Sequence, residues 1–372
     1  MNWNIISMDR EVPKNMQTQN EIKEIHQNTA PPVFLVVSFL RAAKLPSPLK
    51  IPNLAGLRAK SAMSAPKQHV VLIDLPTYPK GTVALSLYAV AAAFGDRYAI
   101  SIVDLNFETV ESAFVGWNTV APALCGLKVS AQNLNHAKTL TAYLRTKFPS
   151  TKVLWGGELP TLLPVECQQS CDCIVQGAFE PVVAQLSEDL DKGNLQPNYQ
   201  ALGESLQVQS LPAPRLDLLP HPKRYPQFMG LPMESSRGCT YKCTFCMVHT
   251  MQPGYQIKNE AQLHLELKNY SGRFLNLIDY NFGVDPAHVV HVARAIGGSK
   301  VVGWMGEMCL ESLDNEEVLQ ALAASRCRMV YCGLEAVDEL GLKSINKART
   351  NHIENYERII RKVQAHGIQV AA

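Results

Sequence analysis

From His69 onward, short apolar runs of strand length alternate with longer segments of helical spacing, and this alternation restricts the chain to a small set of folds. Five runs come first: HVVLIDL (69–75), AISIVDL (99–105), APALCGLKVS (121–130), TKVLWGG (151–157) and CDCIVQG (171–177). The stretches between them place apolar residues on one helical face, Leu85, Tyr88 and Ala91 in one and Leu134, Ala137, Leu140 and Leu144 in another. Near-continuous apolar runs belong to strands buried on both faces, and parallel strands need crossover helices. The expectation for residues 69–191 is an α/β domain with an open, doubly wound parallel sheet. It has five strands and a closing helix at 181–190, and ligands of such sheets lie beyond the carboxyl ends of the strands.

Residues 192–227 are rich in proline, glutamine and asparagine, with LPAPRLDLLPHP at the centre, and read as a linker. A second alternating series follows: LPMESS (231–236), RFLNLID (273–279), KVVGWMG (300–306), RMVYCG (328–333) and GIQVAA (367–372). Asp285 before Pro286 is an N-cap followed by proline at the first helical position. Asp314 with Glu317, and Asn351 with Glu354, have capping-box spacing, and Gly367 stands where the last helix stops. Residues 228–372 are thus a second domain of four complete βα units and a fifth strand on which the sequence ends.

The length of 372 residues suits two such domains. The first 68 residues lack periodicity, carry scattered prolines and are expected to form a poorly ordered extension. Their apolar run VFLVVSFL (33–40) is far shorter than the roughly 20 residues that span a bilayer. A net charge of +2 provides no basic field for nucleic acid. Ten cysteines without a secretory signal fit a reducing, cytoplasmic setting in which thiols ligate metals or pack.

Cys239, Cys243 and Cys246 stand in RGCTYKCTFC, directly after the first strand of the second series, at a carboxyl end where barrel folds put their chemistry. A cubane iron–sulfur cluster normally takes four thiolates, so three leave one iron free for a non-protein ligand. Two plainer readings stand beside this. His249 follows at metal-ligand spacing and makes a structural Cys3His zinc site conceivable, and the thiols could be simple packing residues, as Cys309, Cys327 and Cys332 are expected to be.

The C-x-x-x-C-x-x-C spacing, with aromatic Phe245 before the last cysteine, resembles the radical S-adenosylmethionine (SAM) superfamily, whose motif follows the first strand of a partial (βα)6 TIM-like barrel. The resemblance implies a [4Fe–4S] cluster on Cys239, Cys243 and Cys246. The free iron would chelate the amino and carboxylate groups of SAM, and reductive cleavage would give methionine and a 5′-deoxyadenosyl radical. LIDYNFGVD (277–285) and MVYCGLEAVDE (329–339) resemble further family segments. They imply SAM contacts from Phe245, Asp279, Asn281, Glu307 and Glu335, with Gly333 beside the last.

A doubly wound domain ahead of such a barrel is similar to the cobalamin-binding domain of the cobalamin-dependent radical SAM enzymes. The matching loops are PTYPKG (76–81), LKVSAQN (127–133), WGGELPT (155–161) and CDCIVQGAFEP (171–181). They imply cobalamin contacts from Pro76, Thr77, Ser130, Gly156, Gly157, Thr161 and Gly177. The D-x-H-x-x-G motif is absent, since Asp74 is followed by Leu75 and Pro76, which implies methylcobalamin held without a histidine on cobalt. The family's G-E-G-E after the fifth strand reads here Gly177, Ala178, Phe179, Glu180.

The resemblance covers about residues 69–372. It implies a methyltransferase acting on an unactivated carbon of a small-molecule substrate, supplied with electrons by a reductant such as flavodoxin or ferredoxin. A cyclase, oxidase or rearrangement enzyme of the same type is the alternative. The family barrel has six βα units, so a barrel truncated at strand 5 implies a missing C-terminal segment or partner subunit, without which the chain is expected to aggregate. A non-catalytic metal-binding fragment is the reading from another class.

Overall fold

A computed structural model of the chain describes residues 67–78, 81–118, 120–203 and 206–372. The expected extension up to residue 66, with its apolar run, lies outside the described residues. Among those described, no helix is long and apolar enough to cross a membrane.

The first series forms one parallel sheet: β1 (His69–Asp74), β2 (Ala99–Asp104), β3 (Leu124–Lys128), β4 (Lys152–Gly156), β5 (Cys173–Gly177) and β6 (Asn198–Ala201), in the order β2-β1-β3-β4-β5-β6. Alternate residues of the apolar runs serve opposite faces. Val70, Leu72, Leu154 and Val175 share a core with Leu87 and Ala91 of α1 (Leu85–Phe94). Val71, Ile73, Leu127 and Val153 share another with Leu140 and Leu144 of α2 (Leu134–Lys147). Helix α3 (Val183–Asp191) adds Leu186 and Leu190 to the first core. The chain leaves β1 toward β2 on one side and toward β3 on the other, which opens a crevice at the carboxyl ends.

The sixth strand corrects the expected count of five, because it lies in the stretch that reads as a linker. Its sequence, NYQA, has no apolar run, but Tyr199 is buried and its hydroxyl donates to Asp189 on α3 at 2.8 Å. The chain that follows is fastened to the same sheet. Tyr225 Oη donates to buried Asp104 at 2.5 Å, and Arg224 Nη1 donates to the Phe107 carbonyl at 2.7 Å.

The second series forms a five-stranded parallel sheet in which successive strands of the series are neighbours. Its members are β7 (Leu231–Met233), β10 (Phe274–Leu277), β11 (Gly303–Glu307), β12 (Cys327–Tyr331) and β13 (Gln369–Ala371). Between the first two, β8 (Ser236–Gly238) and β9 (Tyr255–Ile257) form a separate antiparallel ribbon. The run 231–236, expected as one strand, therefore ends at Met233, and Ser236 belongs to the ribbon. Helices α4 (Glu260–Leu267), α5 (Pro286–Gly297), α6 (Glu316–Ala324) and α7 (Tyr356–Ala365) complete the series. Val289 and Ile296 of α5 and Leu319 and Leu322 of α6 pack with Leu275, Leu277 and Trp304 of the sheet.

Local expectations fare unequally. Asp285 caps α5 by accepting from the Ala287 N–H at 2.9 Å, with Pro286 next, and Gly367 takes φ +76° just after α7. The cap of α6 is Asn315, not Asp314: Asn315 accepts from the Glu317 and Val318 N–H groups. Asp314 is held instead by both terminal nitrogens of Arg358, each at 2.7 Å. Asn351 caps nothing, because its amide donates to the Gly333 and Leu334 carbonyls at 2.9 and 3.2 Å.

Candidate functional site

The cysteine loop is the excursion between β8 and β9, and both of its ends are fixed. Gly238, immediately before Cys239, has φ +87°, and a Cβ there would stand 2.1 Å from the Gly254 carbonyl oxygen. No other residue type fits this crossing. Further along, the Cys246 N–H donates to the Cys243 carbonyl at 3.1 Å. The Thr244 N–H donates to Ile345, and Asn346 Nδ2 donates to the Lys242 carbonyl at 2.7 Å, which moors the loop to the segment after β12.

Cys243 is buried and Cys239 and Cys246 are half-buried, all as free thiols. Burial pushes the Cys239 thiol up, while the Tyr241 N–H at 3.4 Å and the Asn281 amide pull it back. Burial also raises Cys243, against the nearby Lys347 ammonium. Thiols of this kind are protonated in the free protein and release protons on binding metal. Among the described residues, no three His, Cys, Asp or Glu side chains converge closely enough to hold one metal ion. A cubane puts each thiolate on a different iron, and the three thiols stand on one anchored loop.

The residues expected around SAM divide into two groups. Asp279, at the end of β10, is 1% exposed and accepts three hydrogen bonds: the Ser235 N–H at 2.6 Å, the Ser235 hydroxyl at 2.5 Å and the Ser236 hydroxyl at 2.6 Å. Burial pushes its pKa up to about 6 against these bonds. Its capacity is spent on the junction between β7 and β8, which leads into the cysteine loop. Glu335, at φ +66°, pairs with Lys347 at 3.1 Å, and Lys347 also donates to the Gly333 carbonyl. Asn281 is buried, accepts from the Gly283 and Cys309 N–H groups and lies beside Cys239. Phe245 is 56% exposed at the loop tip. Glu307, last residue of β11, has no hydrogen-bond partner among the described residues, and the surrounding protein raises its pKa. Of the carboxylates expected here, Glu307 alone is free.

A cavity of about 400 Å³ lies against the face of the first sheet that carries Leu72, Leu154 and Val175. Gly156, Gly157 and Gly177 border it at the carboxyl ends of β4 and β5, and Arg237 of the ribbon and Ile278 and Tyr280, just after β10, border it from the second series. Gly157 and Gly177 have φ +105° and +84° and keep the backbone close. Pro76, Thr77, Ser130 and Thr161 do not line it. The Thr77 N–H donates to Asn106, and the Ser130 N–H donates to Asn133. Thr161 is a brace: its hydroxyl donates to the Gly157 carbonyl at 2.7 Å and accepts from the Gly177 N–H at 3.0 Å.

The cavity wall includes polar groups that sequence reasoning missed. Glu158 and Tyr280 have no hydrogen-bond partner among the described residues, and Gln252 Oε1 is buried without one. Burial pushes the Tyr280 hydroxyl up to about 12, with the Glu234 and Glu158 carboxylates adding to the rise and Arg237 opposing it. This phenol therefore stands where the glycine-rich wall and the cysteine loop meet. Only Glu158 had a local signal, its place directly after the glycine pair. The acceptors and the apolar sheet face suit a flat, largely apolar ligand edged with amide N–H donors, such as a corrin.

Residues 233–372 match the Radical SAM superfamily. The bacteriochlorophyllide d C-12(1)-methyltransferase of Chlorobaculum tepidum is 25% identical over 297 residues, covering 77% of this chain and 62% of that protein. An anaerobic magnesium-protoporphyrin IX monomethyl ester cyclase of Synechocystis sp. is 24% identical over 255 residues, covering 62% of this chain and 50% of the relative. In fold, the chain is similar to the radical SAM methyltransferase TsrM of Kitasatospora setae, solved with cobalamin and a [4Fe–4S] cluster. The TM-score is 0.66 at 16% identity, covering 82% of this chain and 66% of that one. The chain thus spans between half and two thirds of the length of these relatives.

Proposed function

We propose that this chain, whose residues 233–372 match the Radical SAM superfamily and which has methyltransferase relatives, is a cobalamin-dependent radical SAM enzyme that transfers a methyl group to an unactivated carbon of a small molecule. The observation that carries the reading is the shared cavity. One wall consists of glycines at the strand ends of the first sheet, and the other begins at Arg237, two residues before the first cysteine.

Cys239, Cys243 and Cys246 would hold the cluster, and Gly156, Gly157 and Gly177 would let cobalamin lie against the first sheet. When bound, the cluster with SAM supplies a hydrogen-abstracting radical, and cobalamin supplies a methyl group. The chain's own residues do the rest. Asn281 and Lys347 stabilise the thiolate forms of Cys239 and Cys243. Glu307 offers its free carboxylate to an amino or hydroxyl group at the mouth of β11. The apolar sheet face would exclude water from a reactive intermediate, and the Tyr280 hydroxyl, without a partner among the described residues, is available to hydrogen-bond a ligand.

A cyclase-type reaction is the second reading, because one relative bears that name. Methyl-labelled SAM separates the two. Anaerobic incubation of the loaded full chain, with a flavodoxin or ferredoxin as reductant, should carry label into bound cobalamin and then into an organic product. Formation of 5′-deoxyadenosine with all label retained in methionine would overturn methyl transfer in favour of cyclase-type chemistry.

A further inference from the structure

The residue that opens the cysteine motif makes a contact that none of its expected roles explains. Arg237 is largely buried, its side chain 13% exposed, and its guanidinium is divided between two carboxylates. Nε lies 3.0 Å from Glu234 Oε1 and 3.1 Å from Glu234 Oε2, and Nη2 lies 2.7 Å from Glu234 Oε2. Nη1 reaches away to Glu180 Oε1 at 2.9 Å. Glu234 follows β7 and leads into the cysteine loop, whereas Glu180 belongs to the connection from β5 to α3. Both carboxylates and the guanidinium border the cavity. Burial opposes the charge on Arg237, and Glu234 and Glu180 overcome it.

We infer that Arg237 is a positioning residue that locks the glycine-rich wall of the first sheet to the entry of the cysteine loop, and so fixes the register between a cofactor held over that sheet and a cluster held by the loop. This rests on the two-cofactor reading above. It also accounts for Glu180, the one acidic residue left in the stretch where the resemblance leads one to expect two: it is engaged by the arginine and not by a ligand. Only a planar fork serves both acids at once, since its nitrogens point in fixed and different directions. A lysine ammonium is a single point and satisfies one side at the expense of the other. Removing Glu180 leaves the far end of the guanidinium buried without its partner.

The test uses the full chain as Glu180→Ala, Glu180→Gln and Arg237→Lys. Hydrogen exchange needs no cofactor. In Glu180→Ala and Arg237→Lys, amides in residues 177–183 and in residues 239–254 should exchange together and about tenfold faster, a factor equal to roughly 1.4 kcal/mol of easier local opening. Glu180→Gln, which keeps an acceptor and loses only the charge, should show the same pattern at smaller amplitude and serves if the alanine variant does not fold. Faster exchange confined to the mutated segment, or none, overturns the inference. The register itself is read by pulsed EPR on protein reconstituted with cluster and hydroxocobalamin, then reduced to the cluster's and cobalt's paramagnetic states. The spin–spin distance distribution should be narrow in the wild type and broad in Glu180→Ala and Arg237→Lys, with iron content unchanged. Equal widths overturn the inference. A wild-type chain that takes up no hydroxocobalamin overturns the cofactor reading instead, and the exchange result then decides the contact by itself.

Discussion

Gly238 is where the cysteine loop leaves the fold, and its constraint is steric. At φ +87°, with the Gly254 carbonyl oxygen 2.1 Å from any added Cβ, Gly238→Ala must push the ribbon apart. The backbone strain alone costs roughly 1–3 kcal/mol. The expected outcome is lower thermal stability together with reduced iron uptake on reconstitution, measured on the same preparation; full iron content in a stable variant would remove the constraint. The sequence shows a glycine before the first cysteine but not the carbonyl it crosses, which lies sixteen residues further on. The same limit applies to Asp279 and Thr161. Each is legible as a polar residue at a strand end, where ligands bind, yet one accepts from two serines and the other bridges two glycines. A strand-end position in sequence cannot distinguish a ligand contact from a loop brace, because the partner is set by tertiary packing.

The strands were legible because they are buried on both faces and so read as unbroken apolar runs. β6 was not, since an edge strand with two polar residues among its four carries no such signal. β8 and β9 were hidden for another reason: a three-residue ribbon is defined by its partner and not by its own pattern. Helix starts show how close the margin is. Asp314 and Asn315 are adjacent and equally good caps by type, and the choice between them is made by Arg358, forty-four residues away, which takes Asp314. Asn315→Ala should therefore destabilise the fold by about 1 kcal/mol. Asp314→Ala, which removes partly exposed ion pairs, should cost less. Chemical denaturation of the two variants checks the order, and a larger loss for Asp314→Ala would reverse the assignment.

At the scale of the whole molecule, two parallel sheets share one cavity, and the chain between them is tied back to the first sheet by Tyr225 and Asp104. Asp74 stands beside Asp104 at the end of β1. Burial, then the Asp104 charge, raise its pKa from 3.8 to about 7, against Lys128 and the Ala84 N–H. A carboxyl whose pKa is higher in the folded state favours folding while protonated. Its contribution is complete below the unfolded value near 3.8 and is lost as pH rises through about 7. Asp74→Asn should flatten that decline, so denaturation midpoints at pH 5 and pH 8 should lie closer together than in the wild type; unchanged pH dependence would contradict it. The central claim concerns what the three thiols hold, and one measurement reaches it directly: metal content and EPR of the anaerobically reconstituted, reduced full chain, with and without SAM. The account predicts about four irons per chain, a reduced-cluster signal that shifts when SAM is added, and loss of both in Cys239→Ala, Cys243→Ala or Cys246→Ala. Stoichiometric zinc with no iron–sulfur absorption would contradict it.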